Sequence, residues 1–413
     1  MLNATDHQSP GPGYAVAAGT LGWALDAFDF FVVVFLVDAL AAHFRVAKSS
    51  IIWTLTATLA MRPIGALLFG LVADRYGRRK PMMAAVAYFS LIEVLSGLAV
   101  NFPMFLTLRA LYGIGMGGYW GVGASMAMES APTHRRGLLS GLLQGGYPAG
   151  YLLAAIAARA ILPVWGWRPM FWAGLLPAAI TLYITYRAPE SEAWRQHLKP
   201  SFGAIVRVVL DHRQSFLYLL LLITLMIFLS HGTQDLYPDF LKTAHHIAPN
   251  VVAYLAMVYN VGAVLGTVLV GHSSERLGRR RGIIFSLALC LLVIPAWAFG
   301  HGLVMLGAGA FLMQAGVQGA WGVIPVHLNE LSPDAARSLF PGLIYQLGVL
   351  FGSPTNTIEY ALRSRLGYEW ALAAFEGFTI LILMVMFALG PERKGKSFLK
   401  EPAEAEVILK ATS

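Results

Sequence analysis

Long apolar runs, each followed by a short polar break, fill the chain from residue 16 to residue 390. Apolar segments fall at residues 16–40, 51–73, 82–100, 103–127, 138–162 and 169–187, then at 214–241, 251–271, 283–300, 303–327, 340–362 and 369–390. A run of about 20 apolar residues is what an α-helix needs to cross the hydrocarbon core of a bilayer. Twelve such runs predict an all-α membrane protein with twelve transmembrane helices in two six-helix bundles. The expected organisation is an N-terminal tail at 1–15, a first bundle at 16–187, a polar central loop at 188–213, a second bundle at 214–390 and a C-terminal tail at 391–413. An even number of crossings puts both termini on one side.

The two sets of six repeat each other. Gly70, Asp74, Arg75, Gly77, Arg78 and Arg79 recur as Gly271, Glu275, Arg276, Gly278, Arg279 and Arg280. Trp120, Gly121, Glu129, Pro132, Arg136 and Gly141 recur as Trp321, Gly322, Glu330, Pro333, Arg337 and Gly342, and the offset is 201 residues throughout. Parallel six-helix repeats are an architecture of secondary transporters, which bind substrate between the halves near the membrane midplane.

Composition agrees with a lipid-facing surface: 57% of residues are hydrophobic and only 13% charged, against about 25% charged in a soluble domain. The formal charge of +8 does not point to nucleic acid, because the cations lie in short loops between apolar runs. Arg45, Lys48, Arg159, Arg168, Lys242, Arg363 and Arg365 fall on one side, and Arg62 and Arg109 lie within runs. The other 21 of the 30 Lys and Arg fall on the side of the termini, which the positive-inside rule makes cytoplasmic. The expected location is the inner (plasma) membrane, crossed many times. The single cysteine, Cys290, offers neither a disulfide nor a thiolate metal site. The N-terminal residues lack a cationic start and a cleavage site, so no signal peptide is expected. No phosphate loop, metal cluster or nucleophile constellation is present in the sequence, so neither an enzyme, a cofactor nor a metal is expected.

GLVADRYGRRK (Gly70–Lys80) and GHSSERLGRRR (Gly271–Arg281) resemble the loop signature of the major facilitator superfamily, once per half. RALYGIGMGG (Arg109–Gly118) resembles the fourth-helix motif of its proton-coupled members. SHGTQD (Ser230–Asp235) matches the core of a signature of Jen-type monocarboxylate permeases and of the sialate:proton symporter family, which includes lactate carriers. The wider Jen pattern has Asn and Thr where this chain has Ile227 and Asp239. GWALDAFDFF (Gly22–Phe31) is similar to the first helix of that family. The resemblance implies rocker-switch transport of a monocarboxylate such as lactate, with sialate or a sugar acid as the rival substrate. It also implies coupling between Arg109 and a first-helix aspartate, and a conformational latch in Asp74, Arg75, Arg78, Glu275, Arg276 and Arg279 that bridges helix ends on the cytoplasmic side.

Ionisable residues inside the runs carry the chemical reading, since each costs at least about 2.5–3.5 kcal/mol at the bilayer centre unless it meets a partner or a wet cavity. Arg62 can clamp a carboxylate with two parallel hydrogen bonds; the alternative is an internal pair with Asp26 or Asp29. Asp26 and Asp29, three apart, share a helix face and are candidates for proton uptake, with helix packing as the alternative. His231 and Asp235, four apart, also share a face, and a histidine suits proton coupling. Glu93 and Arg109 can form a buried pair that either opens on protonation or stays static. Gln234, Tyr119, Gln144, Tyr147 and Gln346 are candidate cavity residues, together with Trp120, Gln318, Trp321 and Tyr345. Glu359 and Glu376 have no basic partner in the pattern, and their role stays open.

The expected partners are a small organic anion, protons and the lipid bilayer, with the monomer as the functional unit. A proton-driven exporter and a membrane receptor that has lost transport are the remaining alternatives. The fifth run lacks a convincing antiporter glycine-proline pattern, although GGYPAG comes near, and retention of both loop motifs weighs against the receptor.

Overall fold

The computed structural model describes residues 13–196 and 199–399. The outermost parts of both tails and residues 197–198 of the central loop therefore lie outside the described residues. Twelve crossings are built from helices α1 (Gly13–Phe35), α2 (Lys48–Tyr76), α3 (Arg79–Gly97), α4 (Phe102–Ser130), α5 (Arg136–Trp165) and α6 (Leu175–Arg187) in the first half. The second half has α7 (Arg213–Gln234), α8 (Pro249–Leu277), α9 (Arg279–Ala298), α10 (Leu303–Leu331), α11 (Leu339–Gly352) and α12 (Tyr368–Leu389). A short helix, Thr355–Leu366, continues α11 beyond a break, and one turn, Arg168–Trp172, leads into α6. Among the described residues, nine helical segments are long and apolar enough to span a membrane on composition alone. The glycine-rich α4 is not one of them. It is sheathed by protein along most of its length, from Phe105 to Met128, so it has little need of lipid-facing bulk.

Small residues set the packing. A methyl group on Gly65 would overlap the Ile114 carbonyl oxygen, and one on Gly117 would overlap the backbone of Arg62, so α2 and α4 touch main chain to main chain. The repeat does the same with α8 and α10, where Gly266 meets Ala315 and Gly322 meets Thr267. Lipid supplies no hydrophobic drive for helices to associate, and close approach at small residues provides dispersion contact instead. The loop glycines have a different task. Gly77 (φ 105°) and Gly278 (φ 98°) take the same positive-φ turn in each half, a conformation side chains with a Cβ resist.

The halves meet through α5 against α8 and α2 against α11, with α10 also touching α5 and α11 touching α4. These contacts lie at the end of the molecule that carries the two Gly-x-x-x-Asp/Glu-Arg loops. The opposite end is open between the halves, and there the side chains of His231 and Asp235 are 41% and 34% exposed.

Candidate functional site

The closed end is a symmetric charge network. Arg78 pairs with Asp74 and with Glu129, each at 2.9 Å, and Glu129 also receives Arg337 of the other half at 3.2 Å. In the repeat, Arg279 pairs with Glu275 at 3.4 Å and Glu330 at 3.1 Å, and Arg136 of the first half approaches Glu330 at 3.6 Å. Each loop acid also caps the start of a helix across the interface. The Asp74 carboxylate accepts from the Ser338 and Leu339 amides, both at 2.9 Å, and Glu275 accepts from the Gly137 amide. Those amides have no partner within their own helix, and a carboxylate there also meets the positive end of the helix dipole. Burial works against charge on Arg78, but Glu129 and then Asp74 raise its pKa.

Arg75 and Arg276, expected among these contacts, stand outside them. Arg75 turns to the central loop, donating to the Pro200 carbonyl at 3.1 Å and lying over the Phe202 ring. Arg276 lines a surface depression with Arg280 and Glu392. Each sits one position along from an inward-facing acid and is rotated about 100° off its face. Their places are taken by Glu129, Glu330, Arg136 and Arg337, whose involvement was readable in the 201-residue repeat that contains them.

Arg62 lies at the middle of α2 against Gly117 of α4, and only 4% of it is exposed. Neither its Nε nor its Nη2 has a hydrogen-bond partner. Among the described residues no carboxylate comes within 4.0 Å of it, so the expected alternative of a direct pair with Asp26 or Asp29 is not formed. Its charge nonetheless acts on Asp26 and Tyr147 and, in the other half, on Tyr345 and His231.

Asp26 and Asp29 are both buried, and their surroundings differ. Asp26 feels Arg62, and neither of its carboxylate oxygens is bonded. Asp29 lies against Gly174 and feels Glu93 and Arg109. Arg109 itself is held by Glu93 at 2.6 Å and Ser96 Oγ at 2.5 Å, with the Tyr112 ring 4.6 Å away. The Glu93–Arg109 pair is thus formed, with a first-helix aspartate beside it.

In the second half, His231 Nδ1 and Asp235 Oδ2 are 2.9 Å apart, and Asn356 Nδ2 donates to the same oxygen at 2.9 Å. Gln318 donates to Ser230 at 3.3 Å and Gln314 to Thr233 at 3.1 Å. Gln234 lines a small cavity between the halves with Phe31, Tyr147, Tyr151, Asn260 and Gln318. The halves are also joined by aromatic rings: Trp120 stacks on Tyr345 at 4.1 Å, and Trp23 and Trp321 meet Tyr345 edge-on at 5.9 and 5.8 Å. Gln144 and Gln346 are buried nearby, each with an unbonded Oε1.

Tyr119 does not line the cavity. It is fully buried and its hydroxyl donates to the Ala18 carbonyl at 2.7 Å, tying α4 to α1. Trp23, Tyr151, Asn260 and Asn356 join the site without having been singled out in the sequence. Asn356 lies beyond the break in α11, where helical depth no longer predicts position.

Two pseudo-symmetric six-helix bundles, closed at one end by paired charges and open at the other around buried polar groups, define a multi-pass membrane protein with the architecture of a secondary transporter. The family model described as Major Facilitator Superfamily matches residues 20–238 and 235–412, and the chain belongs to that superfamily, whose members are transporters and not enzymes. The carboxylic acid transporter protein homolog of Saccharomyces cerevisiae is 30% identical over 379 residues, covering 85% of this chain and 61% of the yeast protein, so the chain spans less than two thirds of that relative. The sialic acid transporter NanX of Escherichia coli is 27% identical over 383 residues, covering 90% of this chain and 93% of its own length. Among solved structures, the proton:xylose symporter XylE bound to 6-bromo-6-deoxy-D-glucose superposes with a TM-score of 0.73 at 20% identity, covering 97% of this chain and all of that one. At that identity the likeness is one of fold.

Proposed function

We propose that the protein is a proton-coupled symporter of a small carboxylate, with a monocarboxylate such as lactate as the substrate, working by alternating access between bundles 16–187 and 214–390. The observation that carries this reading is Arg62: a buried guanidinium at mid-membrane with unbonded nitrogens, whose charge reaches Tyr147 on the wall of the cavity between the halves. A cation in that position costs several kcal/mol unless an anion arrives, and a carboxylate presents two oxygens matched to its fork. The names of the yeast and bacterial relatives support an organic acid.

With the loop side cytoplasmic, as the charge count implies, the protein stands open to the outside. An anion entering there passes His231 and Asp235 and then meets Arg62, leaving its water behind. Protons load Asp26, Asp29, His231 or Asp235, with the Glu93–Arg109 pair beside Asp29 relaying the change to the helix packing. The substrate-free protonated carrier leaves Arg62 uncompensated, which penalises its turnover and keeps the two fluxes coupled. The monomer contains both halves of the cavity and is the proposed working unit.

A sialate or sugar-acid substrate is the second reading. It draws on the amides of Gln234, Asn260 and Gln318 around the cavity, which offer partners to hydroxyls, and on the relative NanX. Uptake of labelled L-lactate into proteoliposomes, with and without an inward proton gradient, tests both. Gradient-stimulated uptake, competed by pyruvate but not by sialate and lost in Arg62→Ala, is expected. Absence of lactate uptake in folded protein, with sialate uptake in its place, would move the assignment to the second reading.

A further inference from the structure

Glu359, on the short helix after the break in α11, and Glu376, on α12, are 2% and 0% exposed. None of their four carboxylate oxygens has a hydrogen-bond partner. They converge on Gly232 of α7, within the Ser230–Asp235 motif. A methyl group at Gly232 would overlap Glu376 Oε1 and lie 3.1 Å from Glu359 Oε1, so both oxygens sit within 3.1 Å of one point.

We propose that Glu359 and Glu376 form a proton-binding site, separate from the first-half carboxyls, in which the two acids hold a proton behind the motif helix. Two bare carboxylates this close in a protein interior repel each other and have lost their water, and a single bound proton relieves both penalties. No other group on the surrounding elements does so. On α7, Asp235 adds a further negative charge that acts on Glu359, and His231 is engaged with Asp235. On the short helix itself, Arg363 is turned away to Asp239 at 3.0 Å, where Tyr368 of α12 also donates. On α9, Cys290 is near Glu376 but gives its thiol to the Met313 carbonyl.

Release of the proton leaves Glu359 of the short helix facing the like charges of Glu376 on α12 and Asp235 of α7, which drives the short helix apart from both. Because α7 carries His231, Gln234 and Asp235, the proton content of the acid pair sets the position of one wall of the cavity. The site stands on the carboxyls alone; its link to uptake rests on the symporter reading.

Infrared spectroscopy of the purified protein tests the site without any substrate. At neutral pH the wild type is expected to show a protonated-carboxyl C=O band that is lost in the Glu359→Gln/Glu376→Gln double variant. In either single variant the remaining acid, relieved of its neighbour's charge, is expected to lose its proton at a lower pH than in the wild type. Should the variants fail to fold, carbodiimide labelling of the wild type, mapped by mass spectrometry, reads the same state, since the reagent adds to protonated carboxyls. Labelling of Glu359 or Glu376 at neutral pH supports the site. An unchanged band in the double variant, or no labelling of either residue in folded protein by a membrane-permeant carbodiimide that does label both once the pH is lowered, overturns it. Suppression of the band by sodium but not by choline overturns the proton in favour of a metal cation. A confirmed acid pair in a protein that takes up no organic acid would sink the symporter reading and leave this site standing.

Discussion

His231 is oriented by a carboxylate that is itself held from the far side. The Asn356 bond to Asp235 fixes the acid, and the acid fixes the ring. Replacing Asp235 by Asn removes the negative charge beside the ring while nearly preserving shape. The expected outcome is about a tenfold rise in the half-saturating substrate concentration, worth roughly 1.4 kcal/mol, with a changed pH profile of uptake; an unchanged pH profile would separate His231 from the proton. Tyr119 makes the opposite case. Tyr119→Phe removes a buried hydrogen bond to the Ala18 carbonyl, which keeps its own partner within α1, so it should lower thermal stability in detergent by about 1 kcal/mol and leave substrate affinity as it was. For both residues the sequence could give depth alone, because hydrophobic runs fix distance along the membrane. It could not place Tyr119 around the helix axis, since α4 is surrounded by protein and has no polar face to mark the cavity. Arg62 was readable for the converse reason: a lone cation in an apolar run stands out wherever it points.

At the scale of the helices, the close approaches of α2 to α4 and of α8 to α10 depend on having no side chain at a few positions. Gly65→Val and Gly266→Val each drive bulk into a neighbour's main chain, and backbone cannot rotate out of the way as a side chain can. Both should fail to give folded protein, or should unfold at markedly lower temperature by intrinsic fluorescence. Gly203→Ala, in the helix Phe202–Asp211 with open space around it, should be tolerated. Gly65 and Gly266 stand at the same 201-residue offset as the loop motifs, as a packing surface repeated in both halves requires. The interruption at Ser353–Pro354 was hidden for a physical reason. The apolar run continues past it, and hydropathy records the run and not the direction of the chain. Arg75 and Arg276 lie outside the charge network for a related reason, one residue and about 100° of azimuth from the acids that do bridge the halves.

For the molecule as a whole, the closed end is held by the two charge networks and by a strap from the second half. After α12 the chain passes beneath both networks: the Lys396 carbonyl accepts from Arg136 at 2.9 Å, and the Lys396 ammonium donates to Asp334 at 2.8 Å. Phe398 is 3% exposed, with the guanidinium of Arg136 from one half 3.9 Å from its ring centre and that of Arg337 from the other at 4.3 Å. Opening this end separates those arginines, so the ring must leave at least one of them. A buried cation–π contact is worth up to about 2 kcal/mol, and 1.4 kcal/mol is tenfold in a population ratio. Phe398→Ala is therefore expected to raise the ratio of loop-side-open to loop-side-closed molecules about tenfold, read by spin-label distances across that end, while the exposed Lys394→Ala leaves it unchanged. Equal distributions in the two variants would mean that the strap follows the gate and does not hold it. The strap should also be indifferent to pH in the working range. Burial pushes the Asp334 carboxyl up, but the Lys396 hydrogen bond and the Arg337 charge outweigh it and hold its pKa below the usual carboxylate range. A group lowered in this way stabilises the closed end fully above the ordinary carboxylate pKa of about 4 and loses that contribution only as pH falls through its own lower value. Asp334→Asn should consequently leave the shape of the uptake profile between about pH 5 and 8 unaltered, which assigns any pH dependence seen there to the buried groups within the membrane and not to the gate.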